Sequence, residues 1–98
     1  MQGDRKPIPI IRLLHQKDDG TIVDQQDEFN LTQFAGALPS IGDIIVHPVV
    51  EVAKIRSEPA NRTVLTVVGR VFNPKDMEGF IGLIVTARFG SEKDSAFL

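Results

Sequence analysis

His15 and His47 are the only imidazoles in this 98-residue chain, and it contains no cysteine. Thiol catalysis, thiolate metal sites and disulfides are thereby removed together. A hydrolase would need a nucleophile, a base and an orienting group converging in one pocket. No serine or aspartate signature surrounds either histidine, and each sits in a β-like run among aliphatic residues, so a structural role is expected for both. Asp43, His47 and Glu51 recur at a spacing of four, which on a regular strand would bring three ligand-capable side chains to one face, as a zinc or nickel ion requires. Pro48 interrupts that strand and no fourth ligand is in view. No catalytic, cofactor-binding or metal-binding residue is therefore assigned.

The basic side chains offer a different chemistry. Lys54, Arg56, Arg62, Arg70 and Arg88 would make one basic strip if their strands were adjacent, and small barrels hold single-stranded nucleic acid along such strips by stacking bases on aromatics. The charge balance argues against it: residues 1–37 carry four basic and six acidic side chains and residues 38–98 seven of each, for a formal net charge of -2. Phosphate recognition lacks its usual electrostatic footprint. The aromatics are six Phe with no Tyr or Trp, and Phe72, Phe80 and Phe89 fall at strand ends, where packing or barrel closure is their ordinary role.

The elements that would position these residues are strands. Asp18-Asp19-Gly20 separates two β-prone runs, and Asp-Gly is a strong hairpin signal because Gly accepts the positive φ of a tight turn. A first hairpin is expected over residues 8–31. Its second arm, "DQQDE" at 24–28, is polar on both faces and reads as an edge whose charges discourage addition of a foreign strand. "TQFAGALPS" follows as a loop or a single helical turn. "DIIVHPVVEVAKIR" at 43–56 is rich in β-branched residues, but Pro48 cannot donate to a ladder, so two short strands meeting at a bend are expected. "RTVLTVVGRVF" and "FIGLIVTARF" are the last strands, joined by "NPKDMEG". Placing Phe72 opposite Phe80 sets Leu65, Val67, Gly69 and Val71 against Ala87, Val85, Leu83 and Ile81, a wholly apolar face, with Thr66 against Thr86 behind it.

"LPSIGD" at 38–43 is the most patterned stretch. Pro39 fixes its own φ, Gly42 can turn the backbone sharply, and Asp43 can bond nearby amides through its side chain, so Pro39, Gly42 and Asp43 form a structural turn that needs no ligand. Asn30-Leu31-Thr32 and Asn61-Arg62-Thr63 match the glycosylation triplet, which has meaning only in a secreted chain.

Residues 38–89, with "LPSIGDII", "VVGRVFNP" and the final "LIV" strand, resemble small bacterial proteins of unknown function that are expected to form SH3-like barrels. The resemblance implies a fold and no activity. The "GD-x-I/V" element is also similar to one in the β-domain of small mechanosensitive channels and in signal-peptidase-like enzymes; the first would need membrane helices, and the second a Ser-Met nucleophile motif, whereas Ser40 is followed by Ile41.

With 42% apolar and 24% charged residues, the chain can bury one core without metal or disulfide support. With polar residues at the start and Arg12 early in the following apolar run, neither a signal-peptide core nor a membrane span is expected. A soluble, cytoplasmic, all-β protein is expected: a five-stranded SH3-like barrel or strongly bent antiparallel sheet over residues 1–90, at most one short helical turn, and a flexible tail at 91–98. Its expected core is Ile10, Leu14, Phe29, Ile44, Val46, Val50, Val52, Leu65, Val67, Val71, Ile81, Leu83 and Val85. The expected function is that of a non-catalytic protein-interaction or self-associating module without cofactor or membrane contact; a single-stranded nucleic-acid-binding barrel is the alternative. The apolar "PIPII" at 7–11 would suit a dimer seam or the first core strand.

Overall fold

The computed structural model describes residues 9–98. Five strands form one sheet: β1 (Ile10–Gln16), β2 (Ile22–Asn30), β3 (Ile44–Val46), β4 (Thr63–Phe72) and β5 (Phe80–Phe89), in the order β2-β1-β5-β4-β3. The protein is all-β, as the alternation predicts, and among the described residues the only helical pieces are single 3-10 turns at Leu31–Phe34, Pro59–Asn61 and Glu92–Asp94. There are thus three short turns where at most one was expected. The sheet is also mixed rather than wholly antiparallel: β1 runs parallel to β5. No hairpin joins these two strands, so no turn constrains their relative direction.

The sheet is strongly bent but does not close into a barrel, because no ladder joins β2 to β3. Four inter-strand steps would place those edges roughly 19 Å apart in a flat sheet. Asp27 of β2 nevertheless reaches His47, the residue after β3, at 3.3 Å. Side chains at one end therefore span the gap that backbone hydrogen bonds leave open.

The first hairpin forms about its Asp-Gly turn, where Gly20 takes φ +89° and Lys17 N–H donates to Thr21 O at 2.8 Å. Within it the register shifts, because Leu13 pairs with Asp27 while Leu14 pairs with Asp24. The extra residues Gln25 and Gln26 bulge from β2. Gln26 adopts φ +63° and donates its N–H to the Asp24 carboxylate at 2.8 Å. That bond, then the Arg12 guanidinium, holds the Asp24 pKa below the ordinary carboxylate value.

β4 and β5 start in the expected register, with Leu65 opposite Ala87, Thr66 opposite Thr86 and Val67 opposite Val85. A bulge at Val68 then shifts the remainder by one, so Gly69 faces Ile84, Val71 faces Gly82 and Phe72 faces Ile81. Gly82 lies under Leu14, whose Cδ1 would come within 2.8 Å of any added Cβ. That close approach lets β1 lie against β5.

The core consists of Ile11, Leu13, Ile45, Leu65, Val67, Leu83 and Val85, flanked by Phe29, Leu31, Phe34, Leu38 and Ile81. Leu65, Val67, Leu83 and Val85 are buried as expected, with Phe29 and Ile81 partly so. In β1 and β3 the phase is reversed: Ile11, Leu13 and Ile45 are inside, while Ile10 and Ile44 are exposed. Both runs are apolar on their two faces, and period-two reasoning cannot choose between phases one residue apart. Val71 is exposed because the bulge turns it outward, and Leu14, Val46 and Val50 are only half-buried. Val64 is fully buried on the other side of the sheet from that core.

Residues 49–56 form no second strand; β3 ends at Val46, and 47–62 is a loop whose Ala53 takes φ +72°. Val52, expected inside, is 97% exposed on it. Before β3, "LPSIGD" forms a closed turn in which Gly42, at φ +97°, donates to Val67 O at 2.8 Å, Asp43 O accepts Val67 N–H at 2.9 Å, and the Asp43 carboxylate accepts Ser40 N–H at 2.7 Å. Pro39 is buried beneath it. Residues 91–98, read from sequence as a tail, carry the last 3-10 turn and seat Asp94 against Arg88. Of the "PIPII" segment, Ile10 and Ile11 open β1, and residues 7 and 8 lie outside the described residues.

Candidate functional site

The sheet brings together three titratable side chains that lie 12 and 20 residues apart in sequence. His15 Nε2 lies 3.0 Å and His47 Nε2 3.3 Å from the same oxygen, Oδ2 of Asp27. β1 contributes His15 and β2 Asp27, while His47 is held where β3 ends by its N–H bond to Thr63 O at 3.0 Å. The two rings meet edge to face with centroids 6.3 Å apart. All three side chains are mostly shielded from water, with exposures of 15%, 17% and 25% for His15, His47 and Asp27. Alternation explains the grouping. His15 shares the inward face with Ile11 and Leu13, so the cluster closes the open end of the core.

The protons can be located from the partners. His47 Nδ1 accepts Val49 N–H at 3.3 Å, so the neutral ring carries its hydrogen on Nε2 and donates it to Asp27. Both imidazoles therefore direct N–H groups at one carboxylate oxygen. This is an arrangement of donors about an acceptor, not of lone pairs about an ion. Among the described residues, no group of three or more His, Asp or Glu side chains is disposed to hold a metal. Asp43 is engaged in its own turn at Ser40, and Glu51 lies with His47 at the wall of a cleft.

That cleft, about 360 Å³, lies between the 47–62 loop and the end of β5, with Val49, Lys54, Asn61, Thr63 and Phe89 among its lining residues. Glu51 also lines it, and His47 has both ring nitrogens occupied. Phe72 and Phe89 do not pack as sequence position implied, and Phe89 is 75% exposed; Phe80 is half-buried, with the Arg12 guanidinium 5.3 Å above its ring. Arg12 also pairs with Asp24 at 2.9 Å and with Glu28, which ties β1 to the acidic edge of β2.

The basic residues do not converge. Arg88 makes a two-pronged bond to Asp94 at 2.7 and 2.9 Å, which raises the Arg88 pKa and is the main cause of the Asp94 carboxyl being held down to about 2. Arg56 donates to Pro48 O at 2.6 Å, Arg62 is buried, Lys54 lines the cleft, and Arg70 stacks over Phe72 at 5.9 Å. Arg88 is opposite Val64, six residues along β4 from Arg70, a separation of roughly 20 Å at strand rise. No continuous strip for a phosphate backbone results.

Sequence reasoning missed Asp27. Nothing local marks it, since it sits in a polar run that reads as an edge device, and its partners arrive only through strand order. The other feature hidden in sequence is the 47–58 loop, which exposes Val49, Val52 and Ile55 beside the edge of β3 that pairs with no other described strand. No helix among the described residues is long and apolar enough to cross a membrane. Compared with known proteins, the chain matches no protein-family model, no curated protein and no solved structure.

Proposed function

We propose that this protein is a non-catalytic interaction module that associates with a second copy of itself through the 47–58 loop and the neighbouring edge of β3. The observation that carries this reading is the exposure of Val49, Val52 and Ile55, at 63%, 97% and 63%, on one loop that follows a strand edge unpaired among the described residues. Exposed apolar side chains gathered beside an unpaired edge favour docking over solvation. A two-fold axis through such a patch lets it serve as both donor and acceptor surface. The opposite edge is managed differently: β2 carries a bulge and acidic side chains, which oppose strand addition.

Light scattering across a concentration series tests the proposal. A mass that rises toward twice 10.8 kDa, and a Val52→Asp, Ile55→Asp double variant that stays monomeric with an unchanged circular dichroism spectrum, are expected. A wild-type mass that stays monomeric throughout would refute it. On the same samples, single-stranded DNA and RNA should bind no tighter than tens of micromolar at low salt. Submicromolar, salt-sensitive binding lost in an Arg70→Glu, Arg88→Glu variant would replace this reading with nucleic-acid recognition.

A further inference from the structure

We propose that His15, Asp27 and His47 form a proton-controlled clasp that joins the two edges of the open sheet and holds the root of the 47–58 loop. The inference concerns the fold and stands whether or not the loop docks a second copy. No ladder connects β2 to β3, yet the Asp27 carboxylate bridges them by accepting from His47, with His15 of the intervening β1 on the same oxygen.

The hydrogen count makes the clasp sensitive to protons. His47 uses both ring nitrogens, Nε2–H as donor to Asp27 and Nδ1 as acceptor from Val49 N–H, and only the neutral ring can do both. A proton added to His47 must sit on Nδ1, facing the Val49 N–H, so two donors oppose each other and the contact breaks. His15 makes one ring bond, through Nε2, and can carry a proton while keeping it. The clasp therefore closes with no proton or with one on His15. Its hold on the loop opens when His47 is charged, because Nδ1 then carries a hydrogen and can no longer accept the Val49 N–H.

The charged and titratable groups around His47 are few. Asp27 faces it from β2 and His15 from β1, Glu51 and Lys54 line the cleft with it from the loop, and β4 and β5 present Thr63 and Phe89 there. Glu51 and Lys54 offset one another in charge. Asp27 is thus the group whose bond decides the state.

The test is amide hydrogen exchange combined with a ¹⁵N titration of the imidazoles, both on the full chain. The protection factor of Val49 N–H is expected to fall as pH is lowered, by about tenfold per unit for an opening coupled to one proton. Val67 and Val85 in the core should keep theirs. In His47→Gln, whose amide can donate to Asp27 but cannot be charged, the pH dependence at residue 49 should vanish. Constant protection in the wild type, or the same fall in His47→Gln, would overturn the proposal. A tautomer test needs no variant: at high pH His47 Nδ1 must show the ¹⁵N shift of an unprotonated nitrogen, and a protonated Nδ1 there would equally overturn it.

Discussion

Replacing Val67 with Asp places a carboxylate at the centre of the β4–β5 face, where Val67 is fully buried opposite the equally buried Val85. Two losses add. Removing a fully buried valine side chain forfeits about 1.5–3 kcal/mol of burial. The carboxylate that replaces it finds no cation in a cluster composed only of Ile, Leu and Val, and its desolvation costs several kcal/mol more, whether it is borne as charge or as forced protonation. A domain of this size is stable by ~5–15 kcal/mol, so Val67→Asp removes most or all of the margin. Val71→Asp is the informative control. In a hairpin without a bulge both residues face inward, but the bulge at Val68 leaves Val71 exposed, and its replacement should cost less than about 1 kcal/mol, a melting shift under ~8 °C. Thermal unfolding followed by circular dichroism separates the cases. A folded Val67→Asp protein with an unchanged midpoint would refute the burial argument. A Val71→Asp protein as damaged as Val67→Asp would refute the bulge.

Gly42→Val should destabilise by about 1–3 kcal/mol, since φ +97° is closed to a β-branched residue, whereas Asp43→Asn should cost under about 1 kcal/mol because its amide oxygen still accepts Ser40 N–H; urea midpoints measure both. The Asp94 carboxyl is held at about 2, below its ordinary 3.8, chiefly by Arg88. With the folded pKa depressed, the stabilisation it brings is complete above the ordinary value and is lost as pH falls through about 2. Backbone NMR signals of residues 90–98 should therefore loosen between about pH 4 and pH 2 ahead of the core, and in Asp94→Asn they should be loose already at neutral pH.

The pieces legible in the sequence are those set by neighbours a few residues apart. Asp18-Asp19-Gly20 and "LPSIGD" specify turns because φ preferences and side-chain-to-backbone bonds act within four residues, and the alternation around Leu65, Val67, Leu83 and Val85 marks a buried face because Thr66 and Thr86 fall on the opposite one. The phase of "IIRLL" and "IIV" was not legible, since apolar residues on both faces leave the choice to whatever covers them. Nor was the bulge at Val68, which no residue of β4 marks by itself. Only the tertiary structure could assemble His15, Asp27 and His47. Their meeting depends on β1 inserting parallel beside β5 and on the sheet curling until its two edges come within hydrogen-bonding distance, and both are properties of the whole sheet that no stretch of sequence carries by itself.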